Sequence, residues 1–242
     1  MESKKKHLLT SNFFLLTSFL LAIVGCSGGS SQGEVEVKVR NIGMLREIMH
    51  QGKYEARVAI DTLDKTNLYA VGALETLSGE LTIINGEVFA TKVQDDSIHL
   101  ISDEEAKATL FVFAQVMEWD TLTIDSSDDL EQTITEIAES RNYDKPFPFL
   151  VKGSPNSTVY HVINFDPVNG DISKHKEGAK YDTLTNETVQ LLGFYAANAK
   201  GVYTHHTTNM HVHLVNETGT KSGHLEEVDL TNQSFHLLIP KP

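Results

Sequence analysis

Cysteine is nearly absent from this 242-residue chain: Cys26 is the only one. That excludes an internal disulfide framework and a cysteine-ligated zinc finger. Basic residues are scarce beside acidic ones, 20 Lys and Arg against 33 Asp and Glu, for a formal net charge of −13. Such a surface lacks the basic stripe that phosphates need, so no nucleic-acid partner is expected. The same sign argues against adsorption to anionic lipid. There is no Gly-rich phosphate cradle and no nucleophile-elbow sequence. Nucleotide chemistry and serine hydrolysis therefore have no motif to rest on. The acidic run from Asp125 to Glu131 lacks the Gly-interrupted spacing of a calcium loop. It reads instead as the first turn of a helix, where carboxylates favour the dipole. Internal repeats are missing, and low complexity is confined to the Gly/Ser stretch that follows Cys26.

What is present begins with a targeting pattern. Lys4-Lys5-Lys6 precedes an apolar stretch from Leu8 to Val24, which ends at Gly25-Cys26. This reads as a secretory signal over residues 1–25. Its form resembles a bacterial lipoprotein signal, in which Cys26 would be the lipid attachment site. The resemblance implies a bacterial cell-envelope protein, lipid-anchored to the membrane on its periplasmic or extracellular face. A plain secretory signal and a transmembrane anchor are the alternatives, though the apolar run is short for a span. Residues 26–34 then form a flexible tether.

The remaining stretch, 35–242, is long enough for a sizeable core. Alternation predicts a strand over Val35–Val39, and helical spacing follows from Gly43 to Met49, ending near Gly52. Leu68–Leu74 reads as a strand. Leu81–Ile84, Asn85-Gly86 and Val88–Thr91 form the sharpest local signal, an Asn-Gly hairpin between β-branched runs. Thr109–Glu118 is β-prone. Leu130, Ile134, Ile137 and Ala138 mark an amphipathic helix within Asp129–Arg141. Phe147–Lys152 and Ser157–Phe165 suggest a second hairpin, turning at residues 153–156. Strands over Val189–Tyr195, Asn209–Val215, His224–Leu230 and Ser234–Ile239 complete a strand-rich second half. The expected fold class is α+β: two α/β subdomains built on mixed β-sheets, with their boundary near residues 125–145. Trp119, Phe111 and Phe113 read as core residues.

The chemistry is carried by His211, His213 and His224. In a strand, positions i and i+2 share a face, so His211 and His213 project together. The stretch from Asn216 to Gly223 has turn composition, and a hairpin there returns His224 beside the pair. Three neutral imidazoles describe an open, catalytic zinc site. A surface-facing histidine pair is the other reading of the spacing alone.

In their order along the chain, these residues resemble the α-acetolactate decarboxylase family. Met210-His211-Val212-His213-Leu214 followed by Ser222-Gly223-His224 is similar to the family's metal-binding signature. Gly52-Lys53-Tyr54, Gly72 to Leu81, Asn85-Gly86-Glu87-Val88-Phe89, Ser140-Arg141-Asn142 and Leu192-Gly193-Phe194 resemble further family segments. The similarity runs over residues 36–240. It implies a Zn2+ ion held by His211, His213 and His224, on a strand hairpin of the C-terminal half. It also implies Glu80 as a catalytic carboxylate and a small-molecule 2-hydroxy-3-keto acid as substrate. Taken alone, Glu80 also fits a solvated residue at a hairpin entry.

The expected reaction is decarboxylation of 2-acetolactate to acetoin and CO2. The alternative is a lipoprotein that keeps the fold and binds a metal or small ligand without turnover. The expected partners are the substrate and, through the lipid anchor, the membrane; a homodimer is left open. The family's arginine has no counterpart in Ser157–Asn164, and its C-terminal glutamate has none that can be assigned. Lys152, His161, His205 and His206 are the residues weighed as substitutes for the arginine.

Overall fold

The computed structural model describes residues 37–241. The expected signal, the tether and Cys26 lie outside the described residues, as do the first two positions of the strand expected at Val35.

The first sheet is built from residues 40–115. In chain order it holds β1 (Arg40–Ile42), helix α1 (Leu45–Gln51) against it, β2 (Val58–Ala59), β3 (Leu68–Leu74), β4 (Gly79–Ile84), β5 (Glu87–Gln94), β6 (Ser97–Ile101) and β7 (Lys107–Gln115). It is seven-stranded, in the order β1-β7-β3-β4-β5-β6, with β2 also on β7. The Asn-Gly hairpin is present as β4–β5, with Asn85 at φ 51 and Gly86 at φ 84. Two positive φ values in succession suit the strand twist, and Asn and Gly tolerate them best. Among the described residues the first strand lies at Arg40–Ile42, and residues 37–39 precede it outside any strand, with Val37 and Val39 packed on the core.

The second sheet takes the rest of the chain: β8 (Trp119–Ile124), helix α2 (Leu130–Ser140), β9 (Phe147–Gly153), β10 (Ser157–Val162), β11 (Lys180–Thr185), β12 (Val189–Tyr195), β13 (Met210–Asn216), β14 (Ser222–Asp229) and β15 (Phe235–Pro240). Its eight strands run β11-β10-β14-β13-β12-β9-β15-β8. The chain passes from one sheet to the other at 116–118, upstream of the expected boundary. Strand β8, which begins just past the β-prone stretch expected at 109–118 and was not expected as a strand, already pairs with β15.

The α+β reading holds, with every strand pairing antiparallel rather than mixed, for example β3–β4, β4–β5 and β12–β13. The hairpin expected between residues 147–152 and 157–165 does not form. Strand β9 pairs with β12 and β15, while β10 pairs with β11 and β14. The 153–156 segment thus crosses from one part of the sheet to another.

Alternation along the strands sorts the core into layers. Val71 of β3, Leu110 and Val112 of β7, Leu192 and Phe194 of β12, and Val215 of β13 share the cluster to which both sheets contribute. Val212 and Leu214 of β13 point the other way and join Leu130, Ile134 and Ala138 of α2. Each fully buried aliphatic or aromatic side chain contributes about 1.5–3 kcal/mol.

Helix α1 has no side-chain N-cap; its orphan amides Leu45 N–H and Arg46 N–H donate to the carbonyls of Val202 and Gly201, at 2.8 and 3.0 Å. Helix α2 is capped by Asp129, which accepts from Gln132 N–H at 3.0 Å. Its Glu131 carboxylate accepts from Thr208 Oγ1 at 2.6 Å and Asn209 N–H at 2.8 Å. The two helices thus fix the segment that leads into β13.

Candidate metal centre

Strand pairing aligns the histidines in one row. His213 on β13 is the direct partner of His224 on β14, and His224 is the direct partner of His161 on β10. His211 lies two residues along β13 on the same face. The returning hairpin expected from sequence is therefore present. Gly223 permits this close approach: a Cβ there would sit 2.6 Å from the His161 carbonyl oxygen.

One ligand nitrogen from each of His211, His213 and His224 lies within 4.8 Å of the others. His211 Nε2 and His213 Nε2 are 3.1 Å apart. Two imidazoles on one tetrahedral zinc would hold their nitrogens roughly 3.3 Å apart, given zinc–nitrogen bonds of about 2.0–2.1 Å. Burial pushes the His211 imidazole down to about 4, helped by the His161 field. Burial likewise holds His213 and His224 well below the usual imidazole range, and their neighbours' fields add to it. All three rings are thus kept neutral, with lone pairs to share. This donor set fits a metal ion, and the cluster could hold one.

The ring of His213 is oriented from the first sheet. Thr82 Oγ1 lies 3.1 Å from His213 Nδ1, and Ser222 Oγ donates to Thr82 Oγ1 at 2.9 Å. Thr82, Ser222 and His213 are all fully buried. If His213 Nδ1–H donates to Thr82, the Nε2 lone pair faces the cluster, as a metal ligand requires. Thr82 Oγ1 has lone pairs to accept from both neighbours, so the contact is compatible with that tautomer. His211 Nδ1 is buried without an in-line hydrogen bond, although the Tyr203 backbone lies close enough to influence it.

Glu80 stands two residues before Thr82 on the same face of β4. It is 4 % exposed, so the solvated-hairpin reading does not apply. Its Oε2 lies 3.7 Å from His213 Nε2 and its Oε1 3.7 Å from His161 Nε2. Ile163 N–H donates to Oε1 at 3.4 Å. Burial raises its carboxyl well above the usual range, with Glu226 adding and the Ile163 hydrogen bond and Lys176 opposing. A cation at the cluster would draw it back toward ionisation.

A cavity of ≈ 150 Å³ opens beside the cluster. Glu80, His161, His211 and His224 form its polar end. Leu45, Ile48 and Met49 of α1, with Leu77 and Leu110, form an apolar wall. His175, Lys176, Tyr203 and His205 also line it. Of the four basic residues weighed from sequence, His161 and His205 reach the cavity; Lys152 and His206 are not among its lining residues. His161 Nδ1 is 2.8 Å from Glu226 Oε1 but out of line for a hydrogen bond. Burial, followed by the Lys176 field, brings the His161 imidazole down to about 4 against the pull of Glu226.

Thr82, Ser222, Glu226 and Lys176 were not singled out by sequence reading. The i, i+2 rule that joins His211 to His213 also joins Glu80 to Thr82 and Ser222 to His224. Lys176 sits in a loop with no periodicity to mark it.

Comparisons with known proteins bear on the family and the fold. The family model for alpha-acetolactate decarboxylase matches residues 41–239. The crystal structure of alpha-acetolactate decarboxylase from Bacillus subtilis strain 168 superposes with a TM-score of 0.69 at 16 % identity, over 84 % of this chain and 86 % of that one. A Staphylococcus aureus protein of unknown function, similar to alpha-acetolactate decarboxylase, gives 0.69 at 12 % identity, over 83 % and 84 %. Acetolactate decarboxylase from Bacillus subtilis subspecies spizizenii gives 0.68 at 15 % identity, over 84 % and 86 %. At these identities the superpositions speak for the fold. Among curated proteins, none matches the sequence.

Proposed function

Because this chain belongs to the α-acetolactate decarboxylase family, we propose that it is a zinc-dependent decarboxylase. Its substrate is 2-acetolactate, or a close 2-hydroxy-3-keto acid, and its products are acetoin, or the analogue, and CO2. The observation that carries this reading is the buried carboxyl of Glu80, 3.7 Å from His213 in the three-imidazole cluster and beside a small cavity.

The chemistry suits these residues. Loss of CO2 breaks the bond between the carboxyl carbon and C2 and leaves its electron pair on the C2–C3 unit as an enediolate. Zinc, when bound, supplies a Lewis acid for the ketone and hydroxyl oxygens of the substrate. A proton must then reach C2, and Glu80 is the carboxyl placed to deliver it. Solvent restores that proton, so acetolactate anion and one proton give acetoin and CO2. Thr82 Oγ1, by accepting from His213 Nδ1–H, would hold His213 in the ligating tautomer. The apolar wall from α1 limits water around the reacting carbons.

The test is acetoin formation from acetolactate by purified protein, after metal removal and after zinc is restored. Zinc-restored turnover is expected. A zinc-loaded, inactive protein would favour the second reading, a ligand-binding protein on the same fold, which the lack of arginine among the cavity-lining residues supports. We also propose, from the N-terminal pattern alone, that Cys26 carries a lipid anchoring the protein in a bacterial cell envelope. Fatty-acid labelling that survives Cys26→Ser would refute the anchor.

A further inference from the structure

Among the described residues that line the cavity, Lys176 is the only lysine or arginine. It sits among a chain of net charge −13, so an anionic ligand meets few such partners. The loop that carries it is ordered by local bonds. Asp171 caps the 3₁₀ turn Ile172–Lys174 by accepting from Ser173 N–H at 2.9 Å, and Ala179 N–H donates to the Lys176 carbonyl at 3.1 Å. Ile172 packs on the inter-sheet core. The ammonium itself donates to Glu226 Oε1, the same oxygen that stands 2.8 Å from His161 Nδ1. Glu226 therefore stands between Lys176 and the row of histidines.

The side chain of Lys176 is 46 % exposed and its charge is felt at Glu80, His161 and His224. An ammonium has three donors, and Glu226 uses one. The others can meet a ligand oxygen in the cavity that Lys176 lines.

We propose that Lys176, held over the cavity by Glu226, binds the carboxylate of the substrate and makes this chain selective for anionic 2-hydroxy-3-keto compounds. The inference rests on the decarboxylase reading for the identity of the substrate. It explains how the chain handles a carboxylate without an arginine in the cavity. A lysine contributes a point charge rather than a planar fork, so it tolerates a carboxylate that turns as its carbon–carbon bond breaks. The charge leaves with CO2, so this contact holds the ground state at least as well as the transition state. Its loss should appear mainly in KM.

The experiment uses a pair of stable probes that differ only in charge. 2,3-Dihydroxy-2-methylbutanoate has an alcohol where acetolactate has its ketone, so it has no electron sink and cannot lose CO2. In 2-methylbutane-2,3-diol a methyl replaces the carboxylate. Binding of each to zinc-loaded wild type, K176M and K176R is measured by calorimetry, with acetolactate turnover in parallel. The proposal expects K176M to weaken the acid about tenfold, to leave the diol unchanged, and to be rescued largely by K176R. Equal affinity of K176M and wild type for the acid overturns it, as does an equal loss for acid and diol. A wild type that binds the acid no tighter than the diol overturns it too. If the acid shows the charge-dependent pattern while acetolactate releases no CO2, the carboxylate site stands and the decarboxylase reading falls.

Discussion

Strand β4 carries Glu80 and Thr82 at i and i+2, and strand β13 carries His211 and His213 at i and i+2. Both strands are buried along most of their length, and both turn their polar pair toward the space between the sheets. Around each pair the same period places apolar residues on the far face: Leu81 and Ile83 on β4, Val212 and Leu214 on β13. The chemistry differs. The imidazoles are neutral and offer lone pairs, whereas the carboxyl and hydroxyl give and take protons. On the proposed reading, one sheet supplies ligands, and the other supplies the group that orients a ligand and the group that moves a proton. Burying a polar side chain costs free energy unless it finds a partner. That these strands bury four such side chains face to face marks the seam as the working part of the molecule.

The comparison breaks most visibly at His213. His213→Ala should abolish zinc binding and turnover together, with the protein still folded by circular dichroism. Full zinc content by elemental analysis would remove the ligand role. On the opposite strand, Glu80→Gln should separate the two properties: turnover falls about a hundredfold while zinc remains. Unchanged turnover would make Glu80 structural. Thr82→Val keeps the shape but removes the partner of His213 Nδ1. Zinc affinity should fall about tenfold in a competition titration with a chelator. An unchanged affinity would mean that the first sheet does not orient the metal half.

The smallest effect is on pH dependence. In metal-stripped protein, His161 and His211 titrate at about 4 against an ordinary 6.5. Between those values the unfolded chain binds protons that the folded chain refuses, so stability rises with pH. It is fully present above 6.5 and is lost as the pH falls toward 4. His213 and His224 act in the same direction, whereas Glu80, with its raised carboxyl, acts in the opposite one. Four imidazoles outweigh one carboxyl, so Tm should drop by several degrees on acidification through this window. A flat profile would contradict the burial of the row.

Local rules carried the reading furthest where structure is local. Leu68–Leu74, Val189–Tyr195, the Asn85-Gly86 turn and the helix capped by Asp129 all follow from period, turn chemistry or capping. The His211–His213–His224 set was legible because a strand and a hairpin place all three. Non-local pairing was not legible. Nothing in Ser157–Val162 says that it lies against β14 rather than β9, and so nothing marked His161 as the next member of the row. The short strands Ser97–Ile101 and Lys180–Thr185 went unread; both sit at sheet edges, where one side of the strand stays unpaired and the hydrophobic pattern is weak. Lys176 lies in a loop whose place depends on the packing of Ile172, which no sequence period encodes.

The proposed metal centre, on which the two sheets close, is open to diffraction from zinc-loaded crystals, collected across the zinc absorption edge. The expected result is a single strong anomalous peak about 2.0–2.1 Å from one nitrogen each of His211, His213 and His224, with the Glu80 carboxyl facing it. A peak on other residues, such as the adjacent pair His205 and His206, with none at the cluster, would overturn the proposal.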